Sequence, residues 1–331
     1  MNVGIIGYGR MGELYHQVIK EMKFDVDFIC DLEKKIVGVK SFSDYKIALD
    51  SSEIDILIVS TYGPSHYEIM KYAIKKNIKY ILCEKPFTTS LKHADEITEL
   101  VKKSQSTLAI SYLRRFSDAY TDLGIKLRNN KIIGDVKSII ITSGAGGIST
   151  LGTHFIDLCI LLLDFSLVRS VYAIPINRNH PNPRGEEFED PGGYFILNFN
   201  SGKRAFVDMS DDLGLQPRIE IIGSYGRIEI DEINKKIVGY SRKMSDRDKP
   251  MRFYGLDNEL IIDESFGFES LNVLIKKMIQ DMISDTKLQI IPNMVRNNVE
   301  IYSAIRKSFD SGKIISLPLE GEYYDREFMV T

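Results

Sequence analysis

Two segments of this chain carry side chains that can move protons near neutral pH. In Glu84-Lys85-Pro86 a lysine lies between an acid and a proline. The proline ring fixes its own φ and restrains the residue before it to extended geometry. Partial desolvation and neighbouring charge tune such an amine for proton transfer, and Glu84 stands next to it to orient it. In Gly152-Thr153-His154-Phe155-Ile156-Asp157-Leu158 a histidine opens a mainly apolar helix. Its imidazole titrates near neutrality and can exchange a proton with a hydroxyl. Asp157 shares a face with His154 and either holds its tautomer or is a first-turn acid favoured by the helix dipole.

The start of the chain says what such a pair would work beside. Val3, Ile5 and Ile6 read as a buried parallel strand that stops at Gly7, and Gly9 and Gly12 complete G-x-G-x-x-G. A helical pattern follows through Met11, Leu14, Tyr15, Val18, Ile19 and Met22. In this context Gly7 permits the tight turn, Gly9 admits a pyrophosphate to the backbone, and Gly12 lets helix and strand pack closely. Tyr8, Arg10 and Met11 lie between these glycines in the same cradle. Free N–H groups and the dipole at the helix start favour the anion. A second strand ends at Asp31, roughly 20 residues past the turn, where an acid hydrogen-bonds the adenine ribose and favours NAD(H). Lys34 and Lys35 follow and keep NADP(H) open.

These residues need a scaffold of strand ends. Residues 1–115 alternate strand and helix, the pattern of a Rossmann-type, doubly wound parallel sheet. Its strands are 26–30, 54–59, 80–83 and 108–110 after the first, with helices near 45–50, 64–74 and 90–102. Gly7, Asp31, Thr61 and Lys85 all fall at carboxyl ends of strands, where such sheets bind ligands. His66 follows Pro64 near a helix start, facing the cofactor or only capping. Residues 116–331 change texture. A helix over 117–130, a strand over 136–142 and a helix over 152–163 precede strands near 168–177, 193–200, 203–209, 217–223 and 226–231. Ser201-Gly202 marks a hairpin. Helices near 267–284 and 292–310 close the chain, the last packing back on the first domain. This is an α+β domain on a large, open, mainly antiparallel sheet. Tyr112, Arg114 and Arg115 follow the fifth strand at the cleft, where an arginine clamps a phosphate or carboxylate or simply pairs with an acid. A long polar loop over 178–191 offers Arg178, His180 and Arg184 either to a nucleotide diphosphate or to solvent. His16 and His93 read as surface helix residues.

Composition excludes several classes. The 331 residues are 44% hydrophobic and 27% charged, enough for ordinary cores in about two domains. A net charge of −3 without a basic block argues against nucleic-acid binding. No apolar run reaches the ~20 residues that span a membrane. The first strand begins at once, so no signal peptide is expected. Cys30, Cys83 and Cys159 sit in apolar elements without metal-ligand spacing. They read as buried thiols in a reducing cytoplasm, and no metal is expected.

The ordered set of motifs resembles the glucose–fructose oxidoreductase/inositol dehydrogenase (Gfo/Idh/MocA) family over essentially the whole chain. The set is G-x-G-x-x-G, Pro64-x-His66, Glu84-Lys85-Pro86, Arg114-Arg115-Phe116 and G-x-H-x-x-D. The resemblance implies hydride transfer between NAD(H) and a secondary alcohol or ketone of a sugar, polyol or nucleotide-linked sugar. It implies that Lys85 is the catalytic lysine, that His154 acts with it at the substrate hydroxyl, and that the open sheet makes a homo-oligomer, a dimer or tetramer. Glu84 belongs with the cofactor residues, and Arg114, Arg115, Thr150 and Asp157 with the substrate. One position departs: relatives often carry an aspartate four residues before the histidine, and here it is Thr150. A hydroxyl cannot be an anionic partner, which leaves Thr150 to hydrogen-bond the substrate. The resemblance implies a tilt toward a nucleotide-linked or modified sugar, because members in surface-polysaccharide gene clusters often vary here. A C=N or C=C reductase and a non-catalytic NAD-binding sensor are the alternatives on the same scaffold.

Overall fold

Short, mainly apolar runs set the first domain. In this computed structural model, which describes all residues except 145, 177–181, 183–184, 251–255, 285–289 and 331, they form six strands. These are β1 (Asn2–Ile6), β2 (Asp25–Cys30), β3 (Lys40–Phe42), β4 (Ile56–Val59), β5 (Tyr80–Cys83) and β6 (Thr107–Ile110). They pair in parallel in the order β3-β2-β1-β4-β5-β6. Helices α1 (Arg10–Glu21), α2 (Tyr45–Asp50), α3 (Gly63–Lys75) and α4 (Leu91–Lys102) connect them. Val3, Ile5, Ile56, Ile58, Ile81 and Leu82 are fully buried, as in a parallel sheet covered on both faces. The strand order reverses beside β1, which opens a crevice at the carboxyl ends of β1 and β4. The sheet has one strand more than the sequence pattern suggests. β3 is three residues long, too short for a periodic signal.

The second domain begins with α5 (Asp118–Ile125), continued by a π-helical turn to Asn130, and β7 (Val136–Thr142). Another π-helical turn over Ile148–Gly152 runs into α6 (Thr153–Leu162). Strands β8 (Val168–Ile176), β9 (Gly192–Phe199), β10 (Arg204–Asp208), β11 (Arg218–Gly223), β12 (Gly226–Asp231), β13 (Lys236–Arg242) and β14 (Asn258–Ser265) follow. Then come α7 (Leu271–Ile283), α8 (Pro292–Ser311), β15 (Ile315–Ser316) and the short α9 (Glu322–Asp325). Nine strands pair in the order β14-β13-β12-β11-β7-β10-β9-β8-β15. Every neighbour is antiparallel except β7 and β10.

Helix α8 joins the two halves. Arg296 on α8 donates to Asp95 on α4 at 2.6 and 3.1 Å, and Ser308 Oγ accepts the Ala173 N–H of β8 at 2.9 Å. The three cysteines are buried free thiols. Among the described residues, no helix is long and apolar enough to cross a membrane.

Candidate active site

The glycine turn has the shape a pyrophosphate needs. Gly7 has φ +88°, and a Cβ there would meet the Ser60 backbone at 2.6 Å. A Cβ at Gly12 would lie 2.2 Å from the Gly7 carbonyl oxygen. Both positions therefore exclude side chains for reasons internal to the fold. Gly9 differs: nothing lies within 4 Å of where its Cβ would be. It precedes α1 with no side-chain cap, so the helix presents uncapped N–H groups to that open space. The residues present thus fit a dinucleotide.

Asp31 stands at the rim of this cradle. Its carboxylate accepts the Tyr8 N–H at 2.7 Å and the Glu33 and Lys34 N–H groups at 3.0 Å each. Burial pushes its pKa up, but these N–H groups outweigh burial and hold the carboxyl below its ordinary value. Lys34 is not loose either: its ammonium is 2.6 Å from the Glu13 carboxylate, though both side chains are about half exposed.

Lys85 leaves the end of β5 at the same edge, with a cis Lys85–Pro86 peptide. Its ammonium donates to the Thr150 carbonyl at 2.9 Å, which brings the two domains together at this point. Glu84 turns the other way. It is buried and accepts from the Tyr15 hydroxyl of α1 at 2.5 Å and from the Lys85 N–H at 3.3 Å. It therefore supports the Lys85 backbone, and the orienting contact expected on the amine is made by Thr150 instead. Burial raises the Glu84 pKa against the opposing pull of Tyr15 and Lys85.

His154 is part-buried on α6, edge-on to Tyr112 with ring centroids 5.9 Å apart. Burial, then the charges of Lys85 and Arg114, hold its pKa well below the ordinary value. Its ring is therefore neutral near pH 7 and able to accept a proton. The Lys85 ammonium is thus held at the turn that leads into α6, within electrostatic reach of the His154 ring.

Comparison with known proteins agrees with this geometry. The Gfo/Idh/MocA description, an oxidoreductase family with an NAD-binding Rossmann fold, matches residues 1–112. The match covers the first domain, the part that carries the glycine turn. The chain is similar to the myo-inositol 2-dehydrogenase of Thermotoga maritima, with 25% identity over 281 residues, 78% of this chain and 83% of that protein. It is also similar to the uncharacterized oxidoreductase YrbE of Bacillus subtilis, 27% identical over 278 residues, 76% of this chain and 80% of that one. The solved structure of GenD2 from gentamicin A biosynthesis, in complex with NAD, superposes with a TM-score of 0.77. It shares 16% identity over 96% of this chain and 97% of that one, a likeness of fold.

Several charged residues expected at the ligand are held by the scaffold. Arg115 and Asp157 form a buried, two-pronged ion pair at 2.6 and 2.9 Å, their side chains 0% and 2% exposed. Asn298 of α8 donates to the same carboxylate at 2.7 Å. Asp157 thus serves Arg115 and α8, and the tautomer-holding contact expected with His154 gives way to that pair. Arg114 is likewise clamped, donating to Glu232 at 2.9 and 2.7 Å, while Tyr120 donates to Glu232 at 2.6 Å. Both arginines thus pair with acids, the second of the two readings their sequence position allows.

His66 is fully buried, with one ring nitrogen 2.8 Å from the Pro86 carbonyl and the other 3.0 Å from the Thr61 carbonyl. It staples the ends of β4 and β5 rather than facing a ligand. His16 is buried, its Nδ1 2.5 Å from the Tyr8 hydroxyl, and His93 stacks on Tyr67 with ring centroids 3.8 Å apart. Neither is the surface residue its helix position suggests. Arg178, His180 and Arg184 lie outside the described residues.

The Arg115–Asp157 pair carries a stability prediction. Asp157→Asn removes the carboxylate from a buried ion pair, and removing one partner of such a pair costs about 3–5 kcal/mol. Urea unfolding should show a loss of that order. A change below about 1 kcal/mol would mean that water reaches Arg115 and screens it.

Sequence reasoning missed Asp190. It is buried just before β9 and accepts the Ser149 N–H at 2.7 Å and the Thr150 hydroxyl. The only signal was the length of the polar loop that ends there. Phe188 of the same loop lies against Tyr62, past the end of β4, with ring centroids 4.9 Å apart.

Proposed function

We propose that this chain interconverts a secondary alcohol and its ketone on a sugar-like polyol, using NAD(H). The Lys85 amine, held at the turn before α6 within electrostatic reach of the neutral His154 ring, carries this reading, together with the open Gly9 position at the start of α1. The cofactor, when bound, takes or returns the hydride of the carbinol carbon. The chain's own residues handle the rest. The neutral His154 ring takes up the proton of the substrate hydroxyl as the C–O bond becomes a carbonyl, while the Lys85 ammonium hydrogen-bonds the same oxygen and stabilises its developing charge. The Gly9 space and the α1 N-terminus hold the pyrophosphate, and Asp31 receives the adenine ribose. Inositol dehydrogenases among the relatives favour a cyclic polyol or sugar as the substrate class.

Fluorescence assays with NAD+ and a panel of inositols, hexoses, hexuronates and nucleotide-linked sugars test the reading. NADH should appear with at least one ring bearing a secondary hydroxyl. Tight NADH binding without turnover of any member would favour the sensor reading. NADH should also bind more tightly than NADPH, because Asp31 repels a 2′-phosphate and Glu13 engages Lys34. Tighter NADPH binding would instead assign Lys34 and Lys35 to that phosphate.

A further inference from the structure

We propose that Asp190 is a positioning residue for the Lys85 amine, acting through Thr150. Its proposed catalytic consequence rests on the function given above; the positioning itself does not.

Thr150 is gripped from two sides. Its carbonyl accepts the Lys85 ammonium at 2.9 Å. Its hydroxyl donates to Asp190 Oδ2, and its N–H points to Asp190 Oδ1 at 3.4 Å. The same Oδ1 accepts the Ser149 N–H at 2.7 Å. One buried carboxylate therefore fixes the turn that leads into α6, and with it the carbonyl that receives Lys85. His154 follows on the first turn of that helix. The sequence accommodates this carboxylate specifically. A Cβ at Gly147 would come within 2.2 Å of Asp190 Oδ1, so a side chain there would expel it.

Asp190 is itself held in place from both domains. Its neighbour Glu189 donates its N–H to the Met329 carbonyl at 2.5 Å and pairs its carboxylate with Arg306 of α8. Phe188 rests on Tyr62 of the first domain. Pro191 then leads directly into β9, and its carbonyl accepts the Ile148 N–H at 3.1 Å. The loop end is thus tied to the cofactor side at Tyr62, to α8 at Arg306 and to the substrate side at Thr150.

Asp190→Asn tests this in the full-length protein. Asparagine keeps an oxygen able to cap the Ser149 N–H, so the turn retains a cap. It weakens the grip on the Thr150 hydroxyl by removing the charge. Two readouts are taken. The first is kcat and KM with the panel member that the wild type turns over. The second needs no substrate: the rate at which acetic anhydride acylates Lys85, followed by peptide mass spectrometry with the exposed Lys35 as internal standard.

The proposal expects kcat to fall by about ten- to a hundredfold, the scale of a catalytic group displaced by about 1 Å, with KM for NAD+ unchanged. Lys85 acylation should quicken severalfold relative to Lys35 as the amine leaves the Thr150 carbonyl. Unchanged Lys85 acylation overturns the proposal, whatever happens to turnover. A faster acylation with kcat unchanged overturns its catalytic part. If the wild type turns over no panel member, the function above fails while the acylation result still decides the positioning. Should Asp190→Asn fail to fold, Thr150→Val removes only the hydroxyl and leaves the Ser149 contact. It must then show the same faster acylation, and a wild-type rate in that variant overturns the proposal.

Discussion

Lys85→Met should lower turnover by ~10²–10⁴-fold, the usual contribution of a positioned acid–base group. Methionine keeps the approximate length and volume of the side chain, so packing at the end of β5 changes little. What disappears is the amine and its bond to the Thr150 carbonyl at 2.9 Å. NADH affinity should stay close to wild type, because the pyrophosphate is held by the glycine turn and not by this amine. His154→Asn should also be impaired, because the proposed mechanism makes its neutral ring the second group at the substrate hydroxyl. The double variant should lose less than the product of the two single losses, as expected of groups that act on one hydroxyl. Near wild-type turnover in Lys85→Met would sink the mechanism outright. Full activity in His154→Asn would leave Lys85 as the acid–base group by itself.

The parts of the site legible in the sequence are those whose requirements are local. Gly7 and Gly12 are demanded by backbone within a few ångströms, so their spacing alone announces the turn. Lys85 and Asp31 are placed by the rule that parallel strands present their carboxyl ends to one crevice. Residues whose partners lie far along the chain were not legible. Arg115 and Asp157 are 42 residues apart, and their pairing depends on how α6 meets the turn after β6. A charged residue near a cleft looks the same in sequence whether it faces a ligand or an acid. Asp190 illustrates the converse. It looks like one more acid in a polar loop, and only the fold brings it to Thr150. Three second-domain strands escaped for simpler reasons. Gly239 interrupts β13, β14 is exposed along most of its length without alternation, and β15 has two residues. The open sheet is therefore wider than its sequence pattern.

Gly9→Val should abolish NADH binding while leaving the fold intact. The three glycines of the turn do not fail alike. A side chain at Gly7 would strike the Ser60 backbone at 2.6 Å in a left-handed conformation, and one at Gly12 would strike the Gly7 carbonyl at 2.2 Å. Either change perturbs the folded protein itself, so lost binding there would not separate a damaged fold from a blocked site. Gly9 has a negative φ of −77°, and its Cβ direction is open for 4 Å. A valine there meets no protein atom at its Cβ, and its cost to folding should be small. The space it enters lies before the uncapped N-terminus of α1, where a pyrophosphate has to approach the backbone. Thermal unfolding should therefore stay within a few degrees of wild type. Nicotinamide fluorescence should show no saturable binding of NADH at concentrations that fill the wild-type site. NADH affinity unchanged in Gly9→Val would mean that the dinucleotide does not use this cradle, and the roles assigned to Asp31, Lys85 and His154 would fall with it.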